Sequence, residues 1–474
     1  MHKPVDSLGR PFWNVTSETL STERIQTIQE RRLGRLLRHV ARNSRFYRNK
    51  FGKNDFDALP LLTRTQFAQL PLTTKDEVRS DQAAALADGR LPYANLLCVP
   101  LDEIRVERTT SGTTGVPVII PLTEAEMDDS SLVLGEIALR GFSAAGVTPA
   151  DIMLYCWGMG GMTVGGAGNF LPLGGQPRTF FALVPGHTGK SRLHVETVRD
   201  IGISLLFATP SYIRYLAELA RSMGYDPHKD FPVRKVFVSG EAGPTTIPAI
   251  REEVEATWGA DCYDVWGQLE SRTRAFECGV RNGLHIAEDI HLYEVLKPDT
   301  LEPAGPGETG VLVVTYLLAD AAPILRYDTR DLVQVTDEPC ACGRTGRRIM
   351  SILGRADDMV RVRGRQFLPA EVLRFVLRLP GVNGAARILL DRDSLGKDRF
   401  VVQVEAVPTA QQSEGLEECV RREVIESVGL DPEVEVFAEG ALGRSMLKTP
   451  PVLDLRDPTQ RERYQAAMAN VKAF

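Results

Sequence analysis

The sequence predicts an α/β protein, with a large N-terminal domain of parallel α/β sheets that carries a small β-barrel-like part, and a small α+β C-terminal domain. Two observations indicate this class. Short apolar runs alternate with amphipathic stretches in the middle of the chain, and closely spaced strand-like runs with Gly- and Pro-rich turns follow them. With 474 residues, 43% of them hydrophobic, the chain has material for a large core and is too long for one ordinary domain.

In the first part of the chain, the residue pattern predicts one helix, which is followed by alternating strands and helices. Residues 22–48 are expected to be helical, because apolar residues recur at helical spacing with Arg and Glu between them. Strands are expected at 151–155, 203–208 and 235–239, and helices at 192–200, 211–223 and 246–258. Such regular alternation predicts a mostly parallel sheet with helices on both faces.

The second part predicts antiparallel strands and a separate terminal unit. Between 284 and 353 we expect an antiparallel sheet or small barrel, with strands at 292–296, 310–316 and 331–335. Strand and helix patterns follow at 360–362, 371–379, 386–391, 400–407 and 412–427. The polar, turn-like segment 354–358 separates the two blocks, so the expected domains are 1–353 and 354–474.

The composition and net charge of the chain argue against nucleic-acid and membrane partners. The net charge of −6 with 25% charged residues is typical of a soluble globular protein and argues against a general nucleic-acid binder. No apolar run approaches the ~20 residues that span a bilayer, and the first residues lack the apolar core of a signal peptide. A cytoplasmic protein with no nucleic-acid and no membrane partner is expected. Seven sparse cysteines do not indicate a disulfide framework.

The sharpest local signal is a hydroxyl- and glycine-rich loop between two strand-like runs, Thr109-Thr-Ser-Gly-Thr-Thr-Gly115. Glycines let the backbone approach a ligand closely, and backbone N–H groups and hydroxyls are donors for an anion. The loop lacks the Gly-Lys-Ser/Thr of a Walker loop. It predicts a polyphosphate-binding loop; the alternative is a Ser/Thr/Gly-rich surface turn.

This loop resembles that of the AMP-forming adenylating superfamily, which includes acyl-CoA synthetases, carrier-protein adenylation domains and luciferases. Further segments resemble the family's motifs in order: Tyr263 to Glu270, Tyr327 to Asp331, Gly354 to Asp358, and a terminal segment with Lys448. Within the superfamily, nearly the whole chain is most similar to phenylacetate–CoA ligases and other aryl-CoA ligases. The resemblance implies an enzyme that uses ATP to convert a carboxylic acid to acyl-AMP, and then forms a thioester with coenzyme A.

The resemblance also implies roles for single residues. Glu270 is expected to help bind Mg²⁺, Asp331 to accept hydrogen bonds from the ribose, and Arg355 to lie near the ribose or phosphate. The pyrophosphate part of ATP is assigned to Thr110, Ser111, Gly112, Thr113, Thr114 and Gly115, and the adenine pocket to Gly240, Glu241, Ala242, Tyr263 and Asp264. The alternatives are a helix N-terminal acid for Glu270, and a solvated pair with Arg326 or Arg330 for Asp331.

Lys448 is implied as the catalytic lysine that bridges the carboxylate and the α-phosphate, and Asp357 as the hinge about which a mobile C-terminal domain rotates between two poses. The sequence departs from the family at Met446-Leu447, where a small residue usually precedes the lysine, and at Val116, where relatives often have Lys. The alternative for Lys448 is an ordinary surface lysine.

Four residues in the strand-rich region predict a structural Zn²⁺ site: Cys278, His285, Cys340 and Cys342. Four soft or borderline ligands on turns suit a closed tetrahedral site, and some relatives of phenylacetate–CoA ligase carry the same set. The alternatives are four unrelated residues or a redox-active Cys-x-Cys, and His291 can substitute for His285.

The acyl pocket and the acceptor are the least determined features. The segment from Trp157 to Gly166 resembles the one that lines the pocket, with Trp157, Met159, Gly160, Gly165, Tyr212 and Trp266 as candidates. Aromatic, Met and Gly residues favour a flat slot for an aryl or arylacetic acid. Coenzyme A is the expected acceptor. The alternative is a stand-alone adenylating enzyme that loads a carrier protein or an amine in trans, and a third hypothesis is a non-enzymatic nucleotide-binding regulator. A homodimer is expected from the relatives.

Overall fold

The computed structural model describes residues 5–110, 117–126, 136–156, 178–181, 188–407, 415–442 and 452–462. Its α-helices are α1 (Val15–Glu18), α2 (Thr22–Asn43), α3 (Arg45–Ala58), α4 (Arg64–Phe67), α5 (Lys75–Ala87), α6 (Glu136–Ala144), α7 (Thr188–Ile201), α8 (Pro210–Ser222), α9 (Ala249–Trp258), α10 (Pro369–Val376) and α11 (Leu416–Val428). Among these described helices, none combines the length and the apolar character needed to cross a membrane.

The helix expected over 22–48 is in fact two helices, which corrects that prediction. α2 ends at Asn43, and Ser44 has an extended backbone with φ −80° and ψ 117°. The Ser44 hydroxyl accepts a hydrogen bond from the backbone N–H of Tyr47 at 3.3 Å. Ser44 therefore acts as the N-cap of α3, which satisfies a donor that the first turn of a helix leaves without a partner.

A large mixed sheet organises the N-terminal part. Its parallel strands are β3 (Ile152–Tyr155), β4 (Arg178–Phe181), β5 (Leu205–Ala208), β6 (Lys235–Val238) and β7 (Asp261–Gln268). Successive side chains point to opposite faces. Phe207 and Phe237 pack with Phe142 of α6 on one face, whereas Leu206 and Val236 pack with α7, α8 and α9 on the other. The alternating pattern of the sequence thus produces the doubly covered sheet that it predicts.

Antiparallel strands continue the same sheet. They are β8 (Thr273–Glu277), β9 (Leu284–Ile286), β10 (His291–Leu296), β11 (Thr309–Tyr316), β12 (Tyr327–Thr336) and β13 (Arg348–Arg355). In the described part of the chain the order of the eleven strands is β10-β11-β12-β13-β9-β8-β7-β6-β5-β3-β4. β7 pairs in parallel with β6 and antiparallel with β8, so it joins the two halves. A hairpin of β1 (Ile104–Thr109) and β2 (Ile119–Thr123) lies outside this sheet.

The C-terminal part is an α+β unit. It contains β14 (Val360–Val362), β15 (Arg365–Phe367), β16 (Val382–Arg392), β17 (Asp398–Ala406), β18 (Glu433–Phe437) and β19 (Val452–Asp454). The last four form a sheet of order β18-β17-β16-β19 among the described strands, with α10 and α11 packed on it. Arg374 of α10 donates a hydrogen bond to the carbonyl of Thr246 at 2.9 Å, so this unit touches the N-terminal part near α9. The predicted fold class, mixed α/β with an α+β C-terminal region, is confirmed.

Candidate functional site

Asp331 is the centre of a buried polar group. It lies on β12, which pairs with β11 and β13, and is 5% exposed. Its Oδ2 accepts hydrogen bonds from Trp266 Nε1 at 3.0 Å and from Gln268 Nε2 at 2.7 Å, both on β7. Burial raises the pKa of Asp331 to about 6, while Arg355, Trp266 and Gln268 act in the opposite direction. Asp331 is therefore a positioned acceptor, not the solvated surface acid of the alternative interpretation.

Arg355 connects this group to the segment that leads into the C-terminal part. It stands opposite Asp331 in the β12–β13 register, and its Nη1 lies 3.7 Å from Asp331 Oδ1. The same guanidinium binds both oxygens of Asp357 at 2.9 Å, within the short turn Ala356–Asp358. The Asp357 carboxylate and the Asp331 charge raise the pKa of Arg355 against the effect of burial. The predicted hinge residue and the predicted ribose acceptor thus share one cation.

Glu270 lies in the turn between β7 and β8 and does not begin a helix. It is buried, and its Oε1 is 2.8 Å from Lys75 Nζ. A parallel bridge between Thr73 and Tyr327 brings the first turn of α5 to this place. The hydroxyl of Tyr327 also contacts Glu270, and burial together with that acid raises the pKa of Tyr327. The charges of Glu270 and Asp331 both act on Tyr327, so the two acids border the first half of β12.

The base of the expected phosphate loop is held by Thr110. Its backbone N–H donates to the carbonyl of Val118, and its hydroxyl accepts from the Val118 N–H, both at 3.0 Å. These bonds extend the β1–β2 hairpin beyond its last paired residues. The rest of the expected loop lies outside the described residues: Ser111, Gly112, Thr113, Thr114 and Gly115.

Asp264 holds the segment before α9. Its Oδ2 accepts a hydrogen bond from the N–H of Thr245 at 2.8 Å, and its carboxylate lies where a Cβ at Gly243 would be, 2.2 Å from that position. Only glycine fits there, because any side chain would overlap the acid. Burial raises the pKa of Asp264.

The segment Gly240 to Ala242 follows β6 at the carboxyl edge of the parallel strands. Gly240 has a positive φ of 81°, and Glu241 accepts hydrogen bonds from the N–H and hydroxyl of Ser211 at 3.1 and 2.7 Å. Open α/β sheets bind ligands at this edge.

Two tyrosines assigned to pockets have their described contacts in the core. Tyr263 stacks on Phe237 with ring centroids 5.2 Å apart. The Tyr212 hydroxyl lies 2.6 Å from His194 Nδ1 and 3.0 Å from Ser191 Oγ. Neither contact involves Asp331 or Glu270. Trp266, which is also an acyl-pocket candidate, points to Asp331. The remaining acyl-pocket candidates and the predicted catalytic lysine lie outside the described residues: Trp157, Met159, Gly160, Gly165 and Lys448.

The four predicted metal ligands come together. Cys278, His285, Cys340 and Cys342 are buried, and their ligand atoms all lie within 4.8 Å of one another. Cys278 Sγ is 3.8 Å from Cys340 Sγ, and Cys342 Sγ is 3.5 Å from His285 Nε2. His291 is not in this group: its Nε2 is 3.1 Å from the carbonyl of Arg272.

The spacing of this cysteine–histidine cluster suits a tetrahedral ion. A Zn–S bond of about 2.3 Å gives sulfur–sulfur edges of about 3.8 Å in a tetrahedron, which is the observed separation. The other ring nitrogen of His285, Nδ1, is buried and has no hydrogen-bond partner among the described residues. The loop continues into Arg344, whose guanidinium binds Asp6 at 3.0 Å and Glu18 at 2.6 Å.

Sequence reasoning missed Lys75 and Gln268 as members of the site. Gln268 stands inside Tyr263 to Glu270, a segment that carries the family resemblance. Lys75 is the first residue of α5 and lies inside the capping box of Thr74 and Glu77. A cation at a helix N-terminus is unfavourable for the helix dipole, so its presence there is a usable signal.

Comparisons with known proteins give a family match for the C-terminal part and relatives that cover most of the chain. Residues 364–456 match the family described as AMP-binding enzyme C-terminal domain. The phenylacetate-coenzyme A ligase of Thermus thermophilus is 32% identical over 459 residues, which cover 93% of this chain and 98% of that protein. The phenylacetate-coenzyme A ligase of Escherichia coli is 28% identical, with 93% and 97% covered.

Solved structures give the same result. 2-Hydroxyisobutyryl-CoA ligase in the postadenylation state, in complex with 2-HIB-AMP, superposes with a TM-score of 0.82 at 25% identity, covering 99% of this chain and 97% of that one. The same ligase in the thioesterification state, with 2-HIB-AMP and CoA, gives 0.65 at 26% identity and covers 96% and 95%. Taken together, the site and these matches show that the chain belongs to the phenylacetate–CoA ligase family of AMP-forming acyl-CoA ligases.

Proposed function

We propose that this enzyme activates an aromatic carboxylic acid with ATP to an acyl-AMP, and then transfers the acyl group to coenzyme A. In the first step a carboxylate oxygen attacks the α-phosphorus and pyrophosphate leaves. In the second step the thiol sulfur attacks the acyl carbonyl and AMP leaves. The observation that carries the proposal is the pair of buried carboxylates, Asp331 and Glu270, which are held along the first half of β12 beside Arg355 and Lys75.

Asp331 is proposed as the acceptor for the ribose hydroxyls. Two donors, Trp266 and Gln268, already occupy its Oδ2, which fixes the plane of the carboxylate and leaves Oδ1 toward Arg355. A hydroxyl donor prefers the ionised carboxylate, and the nearby guanidinium favours that form. Arg355 is proposed to lie beside the ribose and the α-phosphate.

Glu270 is proposed as a ligand of Mg²⁺, which supplies charge neutralisation for the phosphates when bound. A buried carboxylate is a hard oxygen ligand of the kind this ion prefers. In the described structure Lys75 supplies the positive charge that Glu270 needs. Thr110, followed by the loop to Gly115, is proposed to hold the pyrophosphate part, with Gly240, Glu241, Ala242, Tyr263 and Asp264 at the adenine.

Residues 1–353 and 354–474 are proposed as two domains that rotate about Asp357. The higher TM-score with the postadenylation state, 0.82 against 0.65, supports a pose of that kind for the described structure. Asp357 is bound by Arg355, so rotation at this turn would change the contacts of the same cation that faces Asp331.

The cysteine–histidine cluster is proposed to hold a structural Zn²⁺. Three thiols and one imidazole complete four positions, so no ligand position remains for a water nucleophile. His285 would bind through Nε2, the nitrogen that faces Cys342.

The choice of an aromatic acid rests on the relatives and on composition. The curated relatives are phenylacetate-coenzyme A ligases, and the segment from Trp157 to Gly166 is rich in aromatic, Met and Gly residues. Coenzyme A is the proposed acceptor, in keeping with the family. A cytoplasmic location and a homodimer belong to the same proposal.

ATP–pyrophosphate exchange tests the proposal with a panel of carboxylic acids, and coenzyme A is added in a second pass. We expect exchange with aryl or arylacetic acids and AMP release on addition of CoA. Lys448→Ala should lower exchange by about 10²–10³-fold, because it removes the cation assigned to the transition state. Unchanged exchange in Lys448→Ala would remove that assignment, and no exchange with any acid would refute the enzyme activity proposed here.

A further inference from the structure

Arg274 on β8 is a buried cation that has no acidic partner among the described residues. The residue as a whole is 7% exposed. Three of the other buried arginines bind carboxylates: Arg140 binds Asp289, Arg272 binds Glu126, and Arg326 binds Glu294. Within the described ranges, by contrast, the Arg274 guanidinium has neither a hydrogen bond nor an ion pair.

Strand register shows which way Arg274 faces. Arg274 pairs with Gly267 and Ala275 pairs with Trp266, and successive side chains point to opposite faces. Trp266 points to Asp331, so Arg274 points away from the proposed ribose site. Phe276, two residues on, lies against Gly141 of α6, which identifies the face toward which Arg274 also points.

The same face carries the approach to the proposed acyl pocket. Tyr155 ends β3 on this face, in one hydrophobic cluster with Phe142 of α6 and Val265. It stands two residues before Trp157, the start of the segment assigned to the acyl group.

The charges of Arg274 and of Arg108, at the end of β1, both act on the Tyr155 phenol. Burial lowers the pKa of each arginine to about 10, so both remain cations at neutral pH. A positively charged, largely dry wall therefore borders the acyl side of the sheet.

We infer that Arg274, with Arg108 and the Tyr155 hydroxyl beside it, binds a second carboxylate of the acid substrate, so that the enzyme prefers an aromatic dicarboxylic acid and activates the carboxylate remote from Arg274. A guanidinium fork matches a carboxylate geometrically, and a buried cation without an acidic partner is stabilised by an anion that arrives with the ligand. This inference rests on the proposed function, since it concerns the acid bound in the same site.

Matched pairs of acids test the inference in the wild-type enzyme by ATP–pyrophosphate exchange. 1,4-Phenylenediacetate is compared with 4-ethylphenylacetate, and terephthalate with 4-methylbenzoate; each pair differs in a carboxylate against a methyl group. We expect kcat/KM at least about tenfold higher for the diacid of the better pair, because a site built for a polar group discriminates strongly against its absence. A monoacid that reacts equally well or better in both pairs overturns the inference.

Arg274→Gln separates recognition from structure. It should abolish the advantage of the diacid and leave kcat/KM for the matched monoacid within about twofold, while Arg105→Gln, an exposed position on the same strand as Arg108, should change neither. An equal loss for both acids in Arg274→Gln overturns the inference in favour of a structural role. If this variant does not fold, the wild-type pairs decide alone. Absence of exchange with every acid refutes the proposed function itself, whereas exchange with monoacids only refutes the second carboxylate.

Discussion

Two buried polar clusters in this molecule differ in whether the chain itself supplies the opposite charge. Around β12, the carboxylates of Asp331 and Glu270 each face a cation that the chain supplies, Arg355 and Lys75. In the cysteine–histidine cluster, the ligand atoms face mainly one another, with sulfurs 3.8 Å apart. A site whose charge is already balanced can exchange ligands while the fold persists. In the proposal made above, the thiols are balanced by an ion that becomes part of the fold.

The sharpest way to break this comparison is to neutralise Glu270. Glu270→Gln keeps the size of the side chain and removes the charge proposed to bind Mg²⁺. We expect ATP–pyrophosphate exchange to fall by about 10²–10³-fold, as when one preorganised electrostatic group is lost, while the Tm stays within about 3 °C. Exchange rates over a Mg²⁺ titration and thermal unfolding measure the two effects.

Glu302→Gln, at an exposed position between β10 and β11, is a matched control and should change neither quantity. A large fall in Tm for Glu270→Gln, with activity kept, would place Glu270 among the structural acids instead.

The complementary experiment acts on the cysteine–histidine cluster. Cys342→Ser is expected to lose the bound metal and to destabilise the protein by about 2–5 kcal/mol, because a structural ion contributes its binding energy to folding. Metal content by elemental analysis and denaturant unfolding check this, with Cys419→Ser as the control because Cys419 stands apart from the cluster. A purified wild-type protein without metal, equally stable with and without a chelator, would contradict the structural role.

A smaller effect is expected from pH. The pKa of Asp331 is raised to about 6 by burial, so the protonated form persists to higher pH in the folded protein than in the unfolded chain. Ionising Asp331 therefore opposes folding between pH 4 and 6, whereas the ionised form is the better acceptor for the ribose. From pH 7 to pH 5 we expect KM for ATP to rise about tenfold, since roughly a tenth of the carboxylate is ionised one unit below its pKa.

Asp331→Asn is the reference for that profile. It cannot ionise, so its KM for ATP should be high at both pH values and should lack the change centred near pH 6. An identical pH profile in Asp331→Asn and in the wild type would assign the effect to another group.

The comparison also explains what the sequence could predict. The parallel strands follow from local apolar runs, and the cysteine–histidine cluster from four residues of a rare type, so both are recognisable without coordinates. Lys75 was missed because its partner Glu270 is distant in sequence, and its approach depends on the bridge between Thr73 and Tyr327. The break at Ser44 was missed because the apolar periodicity of α2 continues into α3, while the cap that interrupts it is a single hydroxyl. Contacts between residues that are distant in sequence, such as that of Lys75 with Glu270, produce no local sequence pattern.

The position of Arg344 has a consequence for the order in which the chain matures. Asp6 and Glu18 emerge first during synthesis, yet their common partner is Arg344, which lies 338 residues after Asp6. The ion pairs of Asp6 and Glu18 with Arg344 therefore cannot form until β12 and the turn after it have been made. Closure of this contact is thus a late event in synthesis, coupled to the same loop that presents Cys342.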